Sequence, residues 1–127
     1  MGAVISIGTT RAVLFAGSLA FKFACSRHGL RCNRYEADLY RRSDPGRRAP
    51  LCPPLWCSPF GVILVMRRAG PMTEAEYRKY VRDAGLMLAW DYRGPGDDDS
   101  PFEPKADAWG WLDGRPVAID YANLDED

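Results

Sequence analysis

Short apolar runs broken by turn residues fill the first part of the chain. Val4-Ile5-Ser6-Ile7, Ala12-Val13-Leu14-Phe15 and Leu19-Ala20-Phe21-Lys22-Phe23-Ala24 are separated by Gly8-Thr9-Thr10 and Ala16-Gly17-Ser18. Runs of that length between turn signals predict a three-strand meander. The period then changes: Tyr35, Leu39 and Tyr40 recur at helical spacing, and Asn33 is a capping residue type, so a helix is predicted from Asn33 to about Arg42. Ser43-Asp44-Pro45-Gly46 ends it, and the basic, proline-rich stretch 47–54 is expected to be a loop because proline has no amide hydrogen to give a ladder.

Two further strands are predicted at 55–57 and 62–67, around the turn Ser58-Pro59-Phe60-Gly61. Thr73-Glu74-Ala75-Glu76 has the form of a capping box, and Tyr77, Tyr80, Val81 and Ala84 mark one face of the helix that follows, which Gly85 stops. A loop spans 91–101, with Gly94-Pro95-Gly96 and the acidic run Asp97-Asp98-Asp99. Two runs, 109–112 and 116–119, flank Asp113-Gly114, a pair that tolerates positive φ and predicts a tight hairpin. The order strands, helix, strands, helix, hairpin gives an α+β fold: an antiparallel sheet of about five strands plus one helix over 1–71, then a helix and a hairpin over 72–127. With 127 residues, 46% of them hydrophobic, the two parts are expected to form one compact unit.

Formal charge is zero overall but divided. Residues 1–71 carry 11 Lys+Arg against 3 Asp+Glu, and residues 72–127 carry 6 against 14. Such a split suits a self-complementary pair of lobes, a basic surface that meets phosphate, or two solvated faces. No apolar run reaches the roughly 18 residues of a membrane span, because Lys22 interrupts the stretch 12–24; a soluble, cytoplasmic protein without a span is expected. The cysteines, Cys25, Cys32, Cys52 and Cys57, lack the close spacing of a zinc knuckle and read as reduced thiols. Arg41, Arg42, Arg47 and Arg48 lie around a turn without an aromatic platform, which argues against nucleic acid as a partner. His28 falls in a turn and builds no triad.

Lys22, Glu36, Glu103 beside Lys105, and Asp120 stand at the edges of regular elements. A lysine between Phe21 and Phe23 is expected to leave the core on the opposite strand face and to require water or an anion; taken alone it reads as a solvated lysine. In their order, however, these features resemble the protein-kinase-like superfamily. Leu19-Ala20-Phe21-Lys22 is similar to the V-A-I-K strand, and Glu36 in Asn33-Arg34-Tyr35-Glu36 to its helix partner.

The resemblance implies a small nucleotide-cradling lobe with a rudimentary second lobe, and ATP with Mg²⁺ as cofactors. Lys22 would grip the α- and β-phosphates, held by Glu36. Gly8, Thr9 and Thr10 would form the phosphate turn, Val13 and Ala20 would enclose the adenine, and backbone groups near Met66 and Arg68 would bond its edge. Glu103-Pro104-Lys105-Ala106-Asp107-Ala108 is similar to the catalytic loop, so Glu103 and Lys105 would be catalytic. Ala118-Ile119-Asp120-Tyr121-Ala122 resembles the D-F-G segment, in which Asp120 would hold Mg²⁺ with Asp107 as second carboxylate.

The chain also departs from the pattern. The turn Gly8-Thr9-Thr10-Arg11-Ala12-Val13 keeps one glycine of G-x-G-x-x-G-x-V, Ala108 stands where an asparagine belongs, and the reduced second lobe is expected to lack an activation segment and a helical substrate platform. Two functions follow from the resemblance: a Mg²⁺-dependent, ATP-using phosphotransferase, or a catalytically silent, pseudokinase-like module that binds a protein partner. Trp56, Trp90, Trp109 and Trp111 are many for one small core and are candidates either for packing or for such an interface.

Overall fold

The computed structural model describes residues 4–7, 10–90, 95, 100–122 and 124. Gly8, Thr9, Gly94, Gly96 and the acidic run at 97–99 lie outside the described residues. Two compact units are formed, one from Met1–Arg42, Pro53–Arg68 and Leu124–Asp127, the other from Ser43–Cys52 and Ala69–Asn123. Together they make an α+β protein.

In the first unit, strands β1 (Val4–Ile7), β2 (Arg11–Ala16), β3 (Leu19–Ala24), β4 (Pro54–Cys57) and β5 (Ile63–Arg67) form one antiparallel sheet in the order β1-β2-β3-β5-β4. Helix α1 (Arg27–Arg42) packs against β3, β4 and β5. Its buried positions, Gly29, Cys32, Asn33, Glu36 and Leu39, fall at i, i+3, i+4, i+7 and i+10 and so form a single stripe. Two of the five are polar, which obliges the sheet to supply partners.

Helix α1 begins six residues before the predicted start. Ser26 caps it, its hydroxyl accepting from the Gly29 amide at 3.1 Å, and Asn33 lies buried in the middle of the helix rather than at its end. His28 is therefore helical, not in a turn. Its neighbour Gly29 is helical as well, and for a steric reason. A Cβ there would overlap the Thr10 carbonyl and crowd Ala24, so only glycine lets α1 approach the edge of β2 this closely.

The burial of β3 is the reverse of the sequence expectation. Lys22 is 5% exposed and shares the helix-covered face with Ala20, whereas Phe21 and Phe23 are half-buried on the other face. The partner that makes this tolerable is on α1, as described below. On β4, Trp56 is 55% exposed, and the turn before β5 carries Phe60 at φ +66°, outside the usual range for a bulky residue.

The second unit contains a short helix α2 (Pro45–Arg48), capped by Asp44 at the Arg47 amide, 2.9 Å, where the sequence predicts the end of one helix and the start of a loop. Strands β6 (Gly70–Pro71), β7 (Trp109–Leu112) and β8 (Arg115–Ala118) form a three-stranded antiparallel sheet. The β7–β8 hairpin turns at Asp113 and Gly114, φ +52° and +79°, as their sequence predicts. Helix α3 (Glu74–Tyr77) has the full capping box between Thr73 and Glu76. It widens into a π turn, Arg78–Arg82, marked by the Asp83 amide donating to the Arg78 carbonyl at 2.8 Å. Tyr77 and Val81 stay buried while Tyr80 and Ala84 turn outward, Tyr80 leaning edge-on against Trp111. The core here is Leu51, Val81, Trp90, Phe102, Trp109, Val117 and Tyr121, whose hydroxyl donates to the Cys52 carbonyl at 2.9 Å.

Candidate active site

Pairing register brings the predicted residues of the first unit onto one face. Lys22 lies between Val13 on β2 and Leu64 on β5, and Ala20 lies between Phe15 and Met66. Because directly opposed residues share a face, Val13, Ala20, Lys22 and Met66 all stand on the side that α1 covers. Glu36 comes down from α1 onto this face, and the Lys22 ammonium donates to its Oε1 at 2.8 Å.

A residue that sequence reading passed over completes the cluster. Arg11, at the start of β2, donates from Nη1 to Glu36 Oε1 at 2.6 Å and from Nη2 to Oε2 at 3.3 Å. Its Nη1 also donates to Asn33 Oδ1 at 3.1 Å. Asn33 in turn donates from Nδ2 to the Lys22 carbonyl at 3.0 Å and the Gly61 carbonyl at 2.8 Å. All four side chains are buried. Burial pushes the Glu36 carboxyl up, but the charges of Arg11 and Lys22, with the hydrogen bonds from both, outweigh it and hold the group at about 2. The signal in the sequence was Arg11 itself: two residues before Val13, it occupies the position of the last glycine in G-x-G-x-x-G-x-V.

The Thr10 carbonyl accepts from the Cys25 amide at 2.8 Å. The Arg68 amide donates to the Ser18 carbonyl at 2.8 Å, which commits that hydrogen within the unit, and its guanidinium lies 5.0 Å over Phe15.

In the second unit, the Ala108 carbonyl accepts from the amides of Ile119 and Asp120 at 2.9 and 3.3 Å, so Asp120 and Asp107 flank one hydrogen-bonded junction. Asp120 is half-buried. The Asp107 side chain is 82% exposed with an oxygen 3.9 Å from Lys105 Nζ. Glu103 is fixed through its carbonyl, which accepts from the Lys105 amide at 2.9 Å and the Trp109 indole at 3.2 Å. Among the described residues no three His, Cys, Asp or Glu side chains converge as a metal cage.

Of the arginines considered for nucleic acid, Arg41 and Arg42 both bond Asp38, and Arg47 is buried with its guanidinium 4.4 Å over Trp90. The cysteines are free thiols, Cys32 and Cys52 buried, Cys57 half-buried and Cys25 exposed. No described helix is long and apolar enough to cross a membrane.

No protein-family model matches the chain, and no curated protein does. Among solved structures it is similar to a choline/ethanolamine kinase family protein from Mesorhizobium loti, with a TM-score of 0.56 at 12% identity. The match covers 96% of this chain and 58% of that one, so this chain spans little more than half the length of its structural neighbour. A likeness at that identity is one of fold alone, and the antiparallel sheet with its covering helix is compatible with the small lobe of a kinase.

Proposed function

We propose that this chain binds a nucleotide through Lys22 and acts as a Mg²⁺-dependent phosphotransferase using ATP. The observation that carries the reading is the buried Lys22–Glu36 contact, 2.8 Å, on the sheet face that also bears Val13, Ala20 and Met66. Apolar side chains beside a positioned cation suit a purine joined to a polyphosphate. Glu36 orients the Lys22 ammonium; the ammonium meets phosphate charge; Val13 and Ala20 enclose the base, and the 66–68 backbone borders its edge.

Mg·ATP, when bound, supplies a phosphoryl group whose transfer demands mainly positioning and charge neutralisation. Mg²⁺ is commonly held by one or two carboxylates together with phosphate oxygens. Asp120, whose amide bonds the Ala108 carbonyl, and Asp107, next to Ala108 in the chain, would supply the carboxylates of that donor set, and Glu103 would orient an acceptor hydroxyl with Lys105 beside it.

A second reading, a pseudokinase-like interaction module, is favoured by Ala108. Where the resemblance calls for an asparagine oxygen, this side chain is a methyl group, 1% exposed. Thermal unfolding with and without Mg·ATP, followed by transfer from labelled ATP to hydroxyl acceptors including choline and ethanolamine, tests both. At a hundred times Kd a ligand adds about 2.7 kcal/mol, so a clear upward shift is expected for the wild type and none for Lys22→Met. No shift in the wild type removes nucleotide binding; binding without transfer selects the second reading; transfer undiminished in Asp120→Ala removes the metal assignment.

A further inference from the structure

The geometry points to Arg11 as a positioning residue that holds the Glu36 carboxylate in the orientation presenting Oε1 to Lys22. Its functional meaning rests on the nucleotide-binding reading above, because it fixes where the Lys22 ammonium stands.

A glutamate reaches its partner through three rotatable bonds, and one ammonium, a compact charge with freely turning donors, does not fix the plane of the carboxylate. A guanidinium does, since its rigid fork matches two oxygens at once. Arg11 makes that fork, at 2.6 Å to Oε1 and 3.3 Å to Oε2. The fork is itself anchored: Nη1 donates to Asn33 Oδ1 at 3.1 Å, and the Asn33 amide donates to the Lys22 carbonyl at 3.0 Å. Arginine, glutamate and lysine backbone are thus tied into one closed circuit through a single asparagine. Every member is buried, where hydrogen bonds between charged groups are strengthened by the low local dielectric.

Arg11 stands at the position of the last glycine of the phosphate-loop pattern. A glycine at this position would leave Glu36 without the fork. The side chain found here therefore replaces freedom of the turn by control of the carboxylate beneath it.

The test follows the Lys22 ammonium by NMR, through its hydrogen exchange and its scalar coupling to the Glu36 carboxyl carbon, alongside Mg·ATP affinity. In the wild type a slowly exchanging, coupled ammonium is expected. In Arg11→Met the coupling is expected to vanish and exchange to quicken about tenfold, with nucleotide affinity about tenfold weaker. Arg11→Lys restores charge but grips one oxygen, and is expected to fall between the two. Should Arg11→Met not fold cooperatively, Arg11→Lys alone decides. A Lys22 ammonium with unchanged exchange and coupling in the folded variant, even one of lowered stability, overturns the proposal. A wild type that binds no Mg·ATP overturns the nucleotide reading instead, while the ammonium signals still decide the role of Arg11.

Discussion

The guanidinium of Arg11 and the ammonium of Lys22 bond the same oxygen, Oε1 of Glu36, at 2.6 and 2.8 Å. Two strands are thereby joined to helix α1 through one carboxylate, and the burial of all three groups makes these contacts depend on the charge of Glu36.

That dependence gives a pH profile. Glu36 titrates at about 2 in the fold against 4.5 for an ordinary glutamate. A depressed folded value means that the unfolded chain takes up its proton first on acidification, so the contribution is complete above about 4.5 and is lost as pH falls toward 2. The shift corresponds to about 3 kcal/mol. Urea unfolding of the wild type between pH 6 and pH 2 should show this loss, and Glu36→Gln should be less stable at pH 6 with a flatter profile. Parallel profiles for the two proteins would contradict it.

Gly29→Ala tests why a glycine sits inside α1. On an exposed helix the change would gain about 1 kcal/mol. Here the added methyl meets the Thr10 carbonyl, so a loss of about 2 kcal/mol is expected from overpacking. Chemical denaturation gives the sign directly; a more stable variant would mean that α1 does not approach β2 as described.

Phe60 combines a positive φ of 66° with 78% exposure. A bulky residue in the left-handed region costs roughly 1–2 kcal/mol, and an exposed ring offers little packing in return. Phe60→Asn, with a residue type that tolerates this conformation, should raise stability by about 0.5 kcal/mol, measured as a higher denaturation midpoint at constant slope. A clearly lower midpoint would show that the ring is held by contacts that matter.

Where the chain's own chemistry is local, the sequence was sufficient. Asp113-Gly114 closes the β7–β8 hairpin, Thr73 and Glu76 form their reciprocal cap, and the strands at 19–24 and 62–67 lie within a residue of expectation. Each of these depends on dihedral preferences or on groups a few residues apart. The pairing of Lys22 with Glu36, seen first as a family likeness, is also met in the structure, whereas its use on a nucleotide is the subject of the experiments above.

Other features needed distant parts of the chain to come together. Alternation along β3 shows that Lys22 and Phe21 face opposite ways but not which face α1 will cover; the helix carboxylate and the Asn33 amide decide it, by making burial of the lysine tolerable. Gly29 looks like a break until the Thr10 carbonyl occupies the space of its missing side chain. Arg11 looks like a lost glycine until its fork meets Glu36, 25 positions away. Local pattern fixed the elements and their alternation, while the choice of buried face and the assembly of the charge cluster arose only from tertiary packing, because the partners that stabilise a buried charge are remote in sequence.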